Sequence, residues 1–195
     1  MRLFLVRHAT CDPVGHSLSG RRPGVGLNAA GRAQAAALGR RLASAPLTAV
    51  HSSPLARALE TAAALAAPHR LTPHVEPGLA ELDFGAWTGR VIDGLRGDGA
   101  WTHFNAYRSG TRAPGGELAL EAQSRAVAAV LRLADASPDG CVAVVSHADV
   151  LKAVVGHLLG VPIDLQHRLE IAPASVTEAE LSPWGARVLG VNACA

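Results

Sequence analysis

Leu3 to Val6 is an unbroken apolar run, the pattern of a short strand covered on both faces, and Arg7-His8 stands at its carboxyl end. Ala9 to Leu27 is dense in Gly, Pro and Ser and reads as a long loop, a length usually reserved for function. Asn28 is a good N-cap for an Ala-rich helix to about Ala43, with Leu38 and Leu42 at helical spacing. Thr48 to His51 is a second strand. Ser53-Pro54 then opens a helix with Ser as N-cap and Pro at the first helical position, and Pro68 stops it. Leu71 to Val75 is a third strand candidate.

From about 78 to 117 no period is sustained, so loops and short helices are expected there, forming a substrate lid. Leu118 to Ala136 is strongly periodic and helical. Cys141 to Val145 is the clearest buried strand, again followed by a histidine, His147, and a helix from Asp149 to Leu159 comes next. Arg168 to Ala172, Ser175 to Leu181 and Arg187 to Val191 read as strands between Pro and Gly turns. Strands alternating with helices predict an α/β fold, a three-layer α/β/α sandwich around a mostly parallel sheet with an antiparallel edge strand. The 195 residues are expected to form one domain.

Composition narrows the partners. An apolar fraction of 49% supports a proper core, while a net charge of +2 is too small and too scattered for nucleic-acid or membrane-surface binding. A small anionic substrate stays compatible, as does a homodimer. Cys11, Cys141 and Cys194 lie far apart and form no C-x-x-C pair, and no segment has the length of a signal h-region or a membrane span. The expected location is the cytoplasm.

In an open α/β sheet, ligands bind beyond the carboxyl ends of the strands. Arg7-His8 and Ser146-His147 both occupy such ends, and Arg57 falls near the start of its helix, where free amides and the dipole favour an anion. Two histidines and two arginines can therefore converge on one oxyanion. Phosphoryl transfer asks a protein for positioning and for charge stabilisation on the equatorial oxygens, which arginine forks match.

These residues resemble the histidine phosphatases, the phosphoglycerate mutase-like superfamily, in its phosphatase branch. The resemblance rests on Val6-Arg7-His8-Ala9, Asn28-Ala-Ala-Gly31-Arg-Ala-Gln34-Ala, Ser52-Ser53-Pro54-Leu55-Ala56-Arg57-Ala58, Glu81-Leu-Asp-Phe-Gly85-Ala-Trp87-Thr-Gly89, Pro114-Gly115-Gly116-Glu117 and Ser146-His147, and it covers most of the chain. It implies that His8 attacks phosphorus and becomes phosphohistidine. Arg7, Arg57 and His147 would bind the transferred oxygens, His147 as a cationic clamp, and Glu81 would be the general acid, with its pKa raised by its pocket. No metal or other cofactor is required. Two displacements through His8 would retain configuration at phosphorus.

The chain departs from the family pattern at Ala9, Cys11 and Val14, where Gly, Ser or Thr, and Asn are common. Ser17, Ser19 or Arg21 would replace the missing Asn, with Ser19 and Arg21 carried forward as substrate-binding candidates. Arg21, Arg22, Arg108 and Arg112 are candidates for gripping a second anionic group. Trp101, Phe104 and Tyr107 read as packing. Neither cysteine is followed by the Arg that a cysteine-dependent phosphatase needs, since Cys11 and Cys141 meet Ser17 and His147 at that spacing. No nucleophile elbow, P-loop or H-E-x-x-H motif is present. The expected activity is hydrolysis of a small phosphorylated metabolite. A mutase sharing the phosphohistidine step and an inactive phosphoester-binding module are the alternatives.

Overall fold

A computed structural model describes residues 1–194. Six strands form one sheet in the order β3-β2-β4-β1-β5-β6: β1 (Arg2–Arg7), β2 (Ala49–Ser52), β3 (His74–Val75), β4 (Cys141–Ser146), β5 (Val176–Ser182) and β6 (Gly185–Ala193). β1 to β4 are mutually parallel, while β5 runs antiparallel to β1 and β6 antiparallel to β5, so the antiparallel edge holds two strands rather than one.

The apolar runs lack alternation because both faces are covered. Phe4, Val6, Val50, Ala143 and Val145 pack against α1 (Ala29–Arg41) and α2 (Ala56–Ala66) through Leu38, Leu42, Ala58, Ala62 and Leu65. Leu3, Leu5, Val142 and Val144 pack on the other face against Ala126, Val130, Val150, Leu151 and Val154. Those partners come from α4 (Ala119–Ala136) and α5 (Ala148–Leu159), counted after α3 (Gly99–Ala106). α5 ends on Gly160, whose φ of +70° is the left-handed cap that glycine adopts without strain.

Three boundaries differ from expectation. The second helix begins at Ala56, because the Ser53 hydroxyl accepts the Leu55 N–H at 3.3 Å in a short turn instead of capping a helix. β3 shrinks to two residues. The Arg168 to Ala172 segment is not a strand: a 3-10 helix spans Ile163–Arg168, and the chain then runs unpaired with the sheet to β5. The segment between 78 and 117 carries α3, several 3-10 turns and an apolar cluster of its own, with Leu82, Phe84, Trp87, Leu95, Phe104 and Ala113. Phe104 stacks on Trp101 at 5.8 Å, while Tyr107 is exposed.

No described helix is long and apolar enough to cross a membrane.

Candidate active site

β1 and β4 are hydrogen-bonded neighbours in register, Arg7 beside Ser146, so their terminal histidines emerge together. The His8 and His147 ring centroids lie 5.0 Å apart. The His8 N–H donates to the Ser146 carbonyl at 2.9 Å, continuing the ladder one residue beyond the strand. β2 ends beside β4, and the turn after it delivers Arg57, the second residue of α2.

The loop after His8 is clamped by α1. Asn28 caps that helix on the Gly31 N–H, Gln34 Oε1 accepts the Thr10 N–H at 2.9 Å, and Gly31 lies so close to Thr10 that a Cβ would sit 1.9 Å from its carbonyl oxygen. Thr61 accepts the Ala9 N–H and donates to the Arg57 carbonyl, tying α2 to the same loop. A second clamp holds Glu81. Glu117 exchanges backbone and side-chain hydrogen bonds with Asp83, and Gly116 packs where a Cβ would meet the Asp83 carbonyl oxygen at 2.2 Å.

Within this frame the hydrogen bonds assign roles. His8 Nδ1 lies 2.8 Å from the Ala9 carbonyl, which only accepts, so Nδ1 carries the proton and Nε2 carries the lone pair. Burial, then the Arg57 and Arg7 charges, lower the His8 pKa to about 3, so the ring is neutral at neutral pH. Arg57 Nε donates to His8 Nε2 at 3.2 Å, and its Nη2 donates to the Gly20 carbonyl at 2.8 Å. Ser53 Oγ accepts the Leu55 N–H and lies 2.7 Å from His147 Nε2, while His147 Nδ1 is buried without a hydrogen-bond partner. Burial, with His8, Arg57 and Arg7 adding to it, pulls the His147 pKa well below 6.5. His147 is thus neutral in this structure rather than the cation expected from sequence.

Three buried nitrogens around His8 have no hydrogen-bond partner among the described residues: the guanidinium donors Arg7 Nε and Arg57 Nη1, and His147 Nδ1. Unpaired buried donors are rare and costly, and two guanidinium donors beside the His8 lone pair can take an oxyanion. Arg7 is anchored by donation to the Ile171 carbonyl at 2.6 Å. Burial lowers both guanidinium pKa values, with Glu81 opposing, and both groups stay cationic.

Glu81 is buried, 7% exposed, with Oε1 accepting the Leu82 N–H at 2.9 Å. Burial and then Asp149 raise its pKa to about 7, against the Leu82 hydrogen bond and the two arginines. A carboxyl poised there can give a proton and take it back near neutrality.

A model of the histidine phosphatase superfamily (branch 1) matches residues 3–193. The chain belongs to this superfamily. A probable phosphoglycerate mutase GpmB of Proteus mirabilis (strain HI4320) is 30% identical over 194 residues, covering 94% of this chain and 87% of the relative. The protein Rv0525 of Mycobacterium tuberculosis (strain ATCC 25618 / H37Rv) is 42% identical over 103 residues, 51% of this chain, so the match spans about half of that relative's length, 48%. Among solved structures, Bacillus stearothermophilus YhfR superposes with a TM-score of 0.92 at 27% identity, covering 100% and 98% of the two chains. The mycobacterial glucosyl-3-phosphoglycerate phosphatase Rv2419c gives a TM-score of 0.87 at 27% identity over 98% of each.

In this member of the superfamily, Arg7, His8, Arg57 and His147 come together at the strand ends. The two loop candidates are placed differently. Arg21 donates to the Glu81 carbonyl at 2.8 Å and pairs with Glu117 at 2.9 Å, so it braces the acid's loop, and the half-buried Ser19 makes no side-chain hydrogen bond. Sequence reasoning missed Ser53, Thr61 and Gln34 as the groups that orient the site. Ser53 and Gln34 stood inside the motif blocks and Thr61 three residues past one, but a cap-like Ser and two helix residues carry no local sign of a partner 94, 52 or 24 positions away. Among the described residues, no group of three or more His, Cys, Asp or Glu side chains is arranged to hold a metal ion.

Proposed function

We propose that this protein is a phosphomonoesterase that hydrolyses a small phosphorylated metabolite through a phosphohistidine on His8. The observation that carries the reading is the trio of unpartnered buried nitrogens, Arg7 Nε, Arg57 Nη1 and His147 Nδ1, around a histidine whose Nε2 holds its lone pair; in this reading Ser53 Oγ donates to His147 Nε2, so that Nδ1 is the third donor. An entering phosphoryl group takes those three donors on its oxygens and displaces the long Arg57 Nε contact from His8 Nε2. His8 Nε2 then bonds to phosphorus as the P–O bond to the leaving alcohol breaks, and protonated Glu81 supplies that alcohol's proton. In the second displacement the Glu81 carboxylate takes a proton from water, which attacks phosphorus and frees inorganic phosphate and neutral His8. The three donors supply the charge stabilisation that a metal supplies in other phosphatases.

The superfamily relatives named as phosphatases support release to water, and the relative named as a probable phosphoglycerate mutase supports the alternative of return to a second hydroxyl. Incubation with an aryl phosphate and a chelator separates the readings. Stoichiometric phosphate release over many turnovers without an acceptor is expected. A dependence on a phosphoglycerate acceptor points to the mutase, and abolition by chelator with restoration by a divalent ion refutes the scheme.

A further inference from the structure

Glu81 stands on a loop, and what seats that loop is visible. Glu81 Oε1 accepts the Leu82 N–H at 2.9 Å, so the Leu82 backbone holds the carboxyl. The Leu82 side chain is buried and lines one small void together with Arg108, Asp149 and Gln166, the remaining walls being alanines of α4 and α5. Three polar side chains in a seat otherwise made of alanine call for an explanation.

Asp149 is the second residue of α5, two positions after His147, which caps that helix. Its Oδ1 accepts from Arg108 Nη1 at 2.5 Å and from Gln166 Nε2 at 3.2 Å. Arg108 turns its Nη2 to Asn105 at 2.8 Å and lies 5.0 Å over the Phe104 ring, with 11% of its side chain exposed. Its fork is filled from within the protein and is not open to a second anion. Ser109 continues the seam, its N–H and hydroxyl donating to the two Asp164 oxygens at 2.7 and 2.8 Å. One end of the 78 to 117 segment is thereby fastened to the helix that begins at His147, and the other end, at Leu82, rests on the same fastening. A partly buried ion pair adds little stability over apolar side chains of the same volume, whereas its geometry is specific.

We infer that Asp149, clasped by Arg108 and Gln166, is the positioning residue of the Glu81 acid, seating the Leu82 backbone that holds the carboxyl against the helix that His147 caps. This deepens the phosphomonoesterase reading and rests on it. The charge of Asp149 serves the same end. Asp149 from α5, Arg57 from α2 and Arg7 from β1 act on the Glu81 carboxyl, and of these only Asp149 opposes its ionisation. Arg21 and Arg125 hold the Glu81 carbonyl with their charges paired on Glu117 and Asp83, and His8 and His147 are neutral.

The test is kcat/KM against pH for an alkyl and an activated aryl phosphate, on the full-length protein and two variants, with urea midpoints alongside. Asp149→Asn keeps the volume and an oxygen for both donors but removes the charge. Arg108→Met keeps an extended side chain and leaves the Asp149 charge unmatched. The alkaline limb of the alkyl profile is expected to move down by about half to one pH unit in Asp149→Asn and up by about half a unit in Arg108→Met. Lost folding cannot produce opposite shifts. At pH 8 the first reads as about a three- to tenfold loss on the alkyl phosphate, with the aryl phosphate changed less than about threefold. An aspartate that served only the dipole of α5 would move the urea midpoint and leave the limb in place. Limbs unmoved in both variants, or equal losses on both substrates, overturn the positioning role while the phosphomonoesterase reading stands. If the unmodified protein turns over neither phosphate, both fall.

Discussion

Glu81→Gln separates acid catalysis from the rest of the site. Glutamine keeps the shape and an oxygen to accept the Leu82 N–H, but it has no proton to give. With Glu81 titrating at about 7, roughly half of the protein holds the acid form at pH 7. Protonation of the leaving oxygen by a positioned acid is worth about 10²- to 10⁴-fold. The kcat/KM for a simple alkyl phosphate, which reports the first displacement alone, should fall by that factor, while kcat/KM for an activated aryl phosphate, whose leaving group needs no proton, should fall less than about tenfold.

The same residue sets a pH limb. The acid form is needed in the first displacement, so kcat/KM for the alkyl phosphate should hold below about pH 7 and decline above it, and the aryl substrate should lack this decline. Stability moves in the same direction. A carboxyl whose folded pKa is raised from 4.5 to about 7 binds more protons folded than unfolded between those values, so it lowers stability as pH rises through that window. At about 1.4 kcal/mol per pH unit the loss is about 3 kcal/mol above pH 7, which Glu81→Gln should recover in urea unfolding at pH 8. Equal losses of kcat/KM on alkyl and aryl substrates, together with an unshifted urea midpoint, would refute the reasoning.

Ser53→Ala removes the group that fixes the His147 tautomer and should lower kcat about 10- to 100-fold, the scale on which histidine-orienting partners act, with a stability cost of about 1–3 kcal/mol. Unchanged turnover of aryl phosphate would show that the Ser53 hydrogen bond does not matter to His147. Gly31→Ala drives a Cβ into the Thr10 carbonyl and should destabilise by at least about 2 kcal/mol in chemical denaturation; a smaller effect would mean that the α1 clamp is loose.

The site was legible where its signal is local. Continuous apolar runs ending in Arg7-His8 and Ser146-His147 announce two buried parallel strands, and neighbouring strands bring their ends together. Arg57 was found through a helix start, although the helix begins at Ala56 because Ser53 serves His147 and Leu55 instead of capping. Charge pairing was not legible. Arg21 and Glu117 are 96 positions apart and Arg108 and Asp149 are 41 apart, so nothing local shows that these arginines are already neutralised. The Arg168 to Ala172 segment failed for a related reason. Its apolar residues face a core, as a strand's would, but the Ile171 carbonyl is taken by the Arg7 guanidinium rather than by a neighbouring strand.

Covalent chemistry on His8 is the centre of the account, and trapping tests it most directly. Protein quenched during turnover of a radiolabelled phosphodonor should carry one acid-labile, base-stable phosphoryl group, and the His8→Ala protein should carry none. Undiminished labelling of His8→Ala, or an acid-stable adduct on the unmodified chain, would contradict the assignment of His8 as the nucleophile.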